Sequence, residues 1–193
     1  LAGTASVAAE GVDPALAAVI AGEHRPAANK ARDQYRHPAE TLTFFGLKPD
    51  MRVVEVWPAG GWYTEILGPY LSKSGKYYAA GWDPDAKADF IRLGIKAFRD
   101  KLAARPDLYA GTEMTVLSFP DKTVIAPPGS ADLVLTFRNI HNWMASGQAQ
   151  TMFAAMYRAL RPGGVLGVVE HRAPADGSSG VHGWQQQGRQ AAG

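Results

Sequence analysis

The chain has 193 residues, 46% of them hydrophobic and 20% charged, with a formal net charge of +2, which fits one domain able to bury a core of its own. Lys and Arg are scattered rather than run together, which excludes a nucleic-acid stripe or a polybasic membrane patch, and nucleic acid is not an expected partner. The absence of cysteine excludes disulfides, thiolate metal sites and a Cys nucleophile, and no stretch approaches the roughly 20 apolar residues of a membrane span.

The chain opens Leu1-Ala-Gly-Thr-Ala-Ser-Val-Ala-Ala9, a small-x-small pattern before Glu10 that looks like the end of a secretory signal peptide. A periplasmic or secreted location is the expectation; a plain terminus of small residues on a cytoplasmic protein is the alternative. Asp13-Pro14 reads as a helix cap with Pro at the first position, and the helix stops at Gly22. Arg25 to Pro38 is dense in polar and charged groups, and Ala39 to Phe45 forms a second short helix. Met51 to Trp57 is a buried strand by its β-branched run, followed by a helix from Trp62 to Leu71 that Gly68-Pro69 bends or ends. Lys76 to Trp82 is a second strand, and Asp85 to Ala104 carries helical spacing interrupted by Gly94. Glu113 to Phe119 and Ala131 to Phe137 are the third and fourth strands; Ser146 to Leu160 is an amphipathic helix with Met152 and Met156 on its core side; Val165 to Glu170 is the fifth strand. The expected organisation is an N-terminal segment over residues 1–24, one domain over 25–172, and a polar Gly/Gln-rich tail over 173–193.

Strands separated by helices of this length argue for parallel βαβ units in a doubly wound sheet, whose ligands gather beyond the carboxyl ends of the strands. Five positions fall at that edge: Glu55 with the Trp57 to Gly61 turn, Asp83 closing the second strand, Ser118 and Phe119 closing the third, Arg138 to Trp143 after the fourth, and Glu170-His171-Arg172 after the fifth. A glycine-bearing turn that enters a helix lets backbone approach a ligand and presents free N–H groups. An acid closing the next strand can accept both hydroxyls of a ribose. Turn and acid together outline a nucleoside site, and each also has a plain structural reading, as a tight bend and as a helix cap ahead of Pro84.

The order Glu55-Val-Trp-Pro-Ala-Gly-Gly61, Ala80-Gly-Trp-Asp83, Ala131-Asp-Leu-Val134 and Leu160-Arg-Pro-Gly-Gly164 with Glu170 resembles class I S-adenosylmethionine-dependent methyltransferases. More narrowly, Tyr35 to Pro38, Trp57 to Leu67 and Phe137 to Trp143 are similar to segments of a bacterial, often exported group of predicted methyltransferases. The resemblance covers roughly Arg25 to Arg172. It implies an α/β Rossmann-like methyltransferase fold with a parallel sheet in the order 3-2-1-4-5, S-adenosylmethionine as cofactor and a small molecule as methyl acceptor. By the same resemblance Ala59, Gly60 and Gly61 approach the methionine part of the cofactor, Asp83 holds the ribose, Leu117 to Phe119 flank the adenine, and Arg138, Asn139 and His141 face the sulfonium and the substrate. Glu55, Trp57 and Trp82 complete the expected cofactor set.

Three departures stand out. Trp57 and Ala59 replace the first two glycines of the acid-x-Gly-x-Gly-x-Gly motif, leaving Gly61 in register. The third strand ends Leu-Ser-Phe-Pro where many relatives place an acid near the adenine amine, so Ser118 or a backbone group is expected there. The helix and antiparallel hairpin that normally follow the fifth strand are missing, which exposes Val-Leu-Gly-Val-Val as an apolar edge. That edge is expected to pair with a second copy, to lie under the tail, or to mark a truncated product.

His141 reads as a general base for the attacking nucleophile or as a histidine bonded within its own loop. Glu170-His171 beside His141 has no metal-spacing signature, and no metal site is expected. Arg36, His37 and Tyr35 read as a lid over the cofactor or as a charged linker that packs one aromatic. The alternative to a methyltransferase is a degenerate domain of the same fold that binds a nucleoside or a protein partner without turnover. A nicotinamide dehydrogenase is disfavoured because Gly-x-Gly-x-x-Gly does not occur in the turn.

Overall fold

A computed structural model describes residues 11–172. Asp13 caps α1 (Pro14–Ala21) through a 2.7 Å bond from the Ala15 N–H to its carboxylate, and its other oxygen accepts from the Tyr70 hydroxyl at 2.6 Å. The polar stretch after α1 folds into two single turns, α2 (Ala27–Lys30) and α3 (Asp33–Arg36), before α4 (Pro38–Phe44). These turns are held by Arg25, which is 1% exposed and bonds Asp33 through two guanidinium nitrogens at 2.7 Å each and the Ile20 carbonyl at 2.7 Å.

Then the five expected strands follow in order, with helices between all neighbours in sequence except β3 and β4: β1 (Arg52–Val56), α5 (Thr64–Leu71), β2 (Lys76–Gly81), α6 (Asp89–Ala104), the short α7 (Pro106–Tyr109), β3 (Thr112–Val116), β4 (Ala131–Phe137), α8 (Ile140–Ala145), α9 (Ala149–Ala159) and β5 (Leu160–Val169). All pairings are parallel and the sheet order is β3-β2-β1-β4-β5. Neighbouring residues of each inner strand face opposite layers. Val53, Tyr77 and Leu133 pack with Leu16, Leu42, Ile66 and Leu67 on one side; Val54, Tyr78 and Val134 pack with Trp143, Met152 and Met156 on the other.

Two local expectations are corrected. The helix α6 runs unbroken through Gly94, because a side chain there would meet the Trp82 ring at 2.9 Å and the glycine is the contact that lets helix and strand close. The segment after β4 turns helical at Ile140 instead of staying a loop, since the Glu170 carboxylate accepts from the Ile140 N–H at 2.9 Å and caps the helix from the far strand. The helix α5 ends at Leu71, as expected, with Pro69 inside its last turn. β5 is the terminal strand of the sheet, with Val165 45% exposed. The expected signal-like run and the polar tail lie outside the described residues, among which no helix is long and apolar enough to cross a membrane.

Candidate functional site

The carboxyl ends of β1, β2, β3 and β4 converge on the Trp57 to Gly61 turn. Trp57, Ala59 and Gly61 have φ of 51°, 51° and 75°, the left-handed region that favours glycine. The backbone therefore adopts an alternating left-handed path although two of the three residues carry side chains. Gly61 is required twice over, by its φ and because a Cβ would lie 2.9 Å from Phe98. Lys101 on α6 fixes the turn by donating to the Gly60 carbonyl at 2.7 Å and to Glu65 at 2.6 Å. Glu65, 1% exposed, also accepts from Asn29 at 2.8 Å, which ties the N-terminal helices to the turn.

Beneath the turn, Glu55 is 3% exposed, and one carboxylate oxygen accepts from the Tyr77 hydroxyl at 2.5 Å and from Thr64 at 3.0 Å. Burial pushes its pKa up to about 7, against the pull of these hydroxyls and of the Lys101 charge. Glu55 borders the site and also braces α5 against β2.

Of the cavities that open at this edge, two are large enough to matter for the site. One, of about 410 Å³, is lined by Trp57, Trp82, Asp83, Phe90, Ser118, Phe119, Asn139 and Asn142. The other, of about 430 Å³, is lined by Asn29, Arg32, Arg36, Glu55, Trp57 to Gly60, Trp62, Tyr63, Phe137 to Asn139, His141 and His171. Trp57 and Asn139 border both. The Trp57 indole donates to the Leu117 carbonyl at 3.0 Å and stands edge-on to Trp82 and Trp143, at 6.2 and 5.7 Å between ring centres. It thus partitions the crevice without closing it. The Asn139 amide donates to the Val56 carbonyl and to Thr136, both at 3.1 Å, and holds the ends of β1 and β4 together.

The expected site residues thus gather in one place, though several carry structural duties besides. Asp83 accepts from the Asp85 N–H at 2.9 Å and from Lys122 at 2.7 Å through the same oxygen. The Lys122 bond, with the backbone bond, holds its carboxyl below the usual range. Asp83 is therefore a turn cap as well as a wall of the first cavity. Ser118 pairs its backbone N–H and carbonyl with Lys122, at 2.7 and 2.9 Å, and Phe119 is half exposed at the rim. Of the Tyr35-Arg36-His37 group only Arg36 reaches the site. Its guanidinium lies over the Trp62 ring, 4.6 Å from the centre, whereas Tyr35 is 78% exposed and His37 pairs with Glu40.

His141 and Glu170 meet across the sheet end, with the imidazole Nδ1 3.0 Å from the carboxylate. The same carboxylate accepts the Ile140 and His171 N–H groups at 2.9 Å each. Burial works against its ionisation, but the His171 backbone bond and the His141 contact outweigh it and hold the carboxyl below the ordinary range. His171 brings a third potential ligand atom, and the three lie within 4.8 Å of one another. The Arg138 guanidinium donates to His171 Nε2 at 3.0 Å, which sets a positive charge where a cation would bind. Arg138 itself has φ of 62° and closes β4 in the left-handed region, a form of strain that concentrates at functional sites.

The residues that sequence reasoning missed are Asn29, Arg32, the Tyr63–Phe137 pair, Lys101 and Lys122. Tyr63 and Phe137 stack at 3.6 Å between centres and 9° between planes. The only signal for Arg32 was its spacing of one helical turn from Arg36; the lysines act from other elements and left none.

No protein-family model matches the sequence, and no curated protein matches it significantly. Solved structures do match. An S-adenosylmethionine-dependent methyltransferase from Aquifex aeolicus aligns at a TM-score of 0.58 and 19% identity, over 81% of this chain and 75% of that one. A putative sarcosine dimethylglycine methyltransferase from Galdieria sulphuraria gives 0.53 and 15%, over 73% of this chain and 46% of that one, so the chain spans under half of that protein. A precorrin-6y C5,15-methyltransferase from Geobacter metallireducens gives 0.50 and 16%, over 79% and 70%. At such identities the likeness is one of architecture: this chain has the Rossmann-like α/β fold of those methyltransferases, with the sheet order 3-2-1-4-5.

Proposed function

We propose that the protein binds S-adenosylmethionine and transfers its methyl group to a small-molecule acceptor. The observation that carries the reading is the alternating left-handed turn at Trp57, Ala59 and Gly61, flanked by two cavities that Trp57 and Asn139 join. The residues present suit the cofactor. Trp82, Phe119 and Ser118 offer an adenine-sized wall, Asp83 keeps a second carboxylate oxygen for a ribose, and the turn backbone with Glu55 borders the place for an amino-acid moiety.

When bound, the cofactor's sulfonium would supply an electrophilic methyl group to an acceptor in the adjoining cavity. The chain's share is alignment, partial exclusion of water and removal of a proton. His141, which lines the second cavity and meets Glu170 through Nδ1, would be the group that takes the acceptor's proton. Glu170 positions the ring and stabilises the imidazolium that results.

Binding without turnover is the second reading, favoured by the Trp57 indole that divides the crevice and by the Lys122 bond that already occupies Asp83. Isothermal titration with S-adenosylmethionine and S-adenosylhomocysteine tests the proposal. Heat with the wild type and weakened binding in Asp83→Ala support the assignment; no heat with the wild type overturns it, and unchanged affinity in the variant removes the ribose role. Self-association through the β5 edge is proposed as well, on the exposure of Val165 in the terminal strand.

A further inference from the structure

The larger of the two cavities is rich in uncompensated positive charge. Arg32, Arg36 and Arg138 line it, and none of the three forms an ion pair with a carboxylate among the described residues. The nearby acids are already engaged. Asp33 is bound bidentately by the buried Arg25, Glu170 is bonded to His141 and two backbone N–H groups, and Glu55 is buried and bonded to two hydroxyls.

Like charges gather there at a cost. Arg36 is half-buried over Trp62, and its hold on the proton is weakened first by burial and then by repulsion from Arg32, with Arg138 contributing too. Three guanidinium groups brought together with no carboxylate paired to them among the described residues leave a positive potential that an anion of the right size relieves, and their planar forks suit carboxylate and phosphate oxygens. Tyr63, 5% exposed, and Phe137 stack face to face and border the same cavity. His141 stands at its edge.

We infer that the methyl acceptor is a small organic anion, carrying a carboxylate or phosphate that Arg32, Arg36 and Arg138 hold. The inference rests on the proposed methyl transfer for the identity of the site, and its test separates the two. The anionic group anchors one end of the acceptor and brings the nucleophile at the other end to His141. The carboxylate of the cofactor itself is the competing occupant of the arginines.

The experiment titrates inorganic phosphate and benzoate, at low ionic strength, into the full chain saturated with S-adenosylhomocysteine, so that the cofactor's own carboxylate is already placed. The expected result is saturable binding that weakens by about tenfold or more in Arg32→Gln and in Arg36→Gln, while S-adenosylhomocysteine affinity shifts less than about threefold. Arg32 is exposed, so its variant keeps the test decisive should Arg36→Gln lose the contact with Trp62 and misfold. Absence of anion binding by the loaded wild type overturns the inference. So does one-for-one competition of the anions with S-adenosylhomocysteine, coupled to loss of its affinity in both variants, because the arginines then serve the cofactor. If S-adenosylhomocysteine does not bind the wild type, the methyltransferase reading fails by itself, and the same anion titration on the unliganded protein decides the anion site: binding lost in the variants upholds it and no binding overturns it.

Discussion

Replacing Glu55 by Gln tests the electrostatics under the turn. The carboxyl is 3% exposed, and burial raises its pKa from 4.5 to about 7 despite the bonds from Tyr77 and Thr64. Between those two values the folded chain holds a proton that the unfolded chain has released. Stability therefore falls as pH climbs through the window, and the loss levels off above 7 at about 3 kcal/mol. A Gln places its carbonyl where Tyr77 and Thr64 donate and carries no charge at any pH. At pH 5 the two proteins are expected to unfold at nearly the same urea concentration; at pH 8 the variant is more stable by up to about 3 kcal/mol, or roughly 10 °C in Tm. Tryptophan fluorescence during urea unfolding at half-unit pH steps reads this directly. The carboxylates whose pKa is lowered, Asp132 and Glu170 among them, titrate below this window, and the histidines cancel in the difference between the two proteins. A stability difference that stays constant from pH 5 to 8, or a variant weaker at pH 8, refutes the reasoning.

Other outcomes follow from the same geometry. Ala59→Gly relieves a left-handed φ of 51° and is expected to stabilise the fold by about 1 kcal/mol, read as a higher urea midpoint. Arg25→Ala strands Asp33 and weakens the hold on Glu65, so a loss of about 3 to 5 kcal/mol is expected in the same unfolding assay. Lys101→Met frees the Gly60 carbonyl and removes a partner from the buried Glu65; calorimetry should show weaker S-adenosylhomocysteine binding together with a loss of about 1 to 3 kcal/mol in stability. Sedimentation velocity should find a dimer for the wild type and a monomer for Val165→Lys, and a wild type that is monomeric at every concentration ends the proposal of pairing through β5.

Much of the architecture was legible because parallel strands advertise themselves. Short β-branched runs separated by helical spacing leave few topologies, and the strand order among them came from the resemblance to methyltransferases. Element ends were read less well. Gly94 looked like a break because a glycine in isolation weakens a helix, while in the fold it is the place where Trp82 meets α6. The Arg138 to Trp143 segment looked like a loop because its cap, Glu170, comes from a strand nearly thirty positions away.

The sequence by itself determined the sheet, the turn that follows the first strand and the acids that close the strands, since each depends on local periodicity and on residues adjacent along the chain. Only the tertiary structure decided what those groups do. Folding commits one oxygen of Asp83 to Lys122 and to the backbone of Asp85, buries Glu55 beneath the turn, and sets Trp57 between two cavities. It also gathers Arg32, Arg36 and Arg138 around one of those cavities, none of them ion-paired with a carboxylate among the described residues. The reason is physical. Pairing, desolvation and charge compensation depend on distances between residues far apart in the chain, and those distances exist only once the sheet has closed.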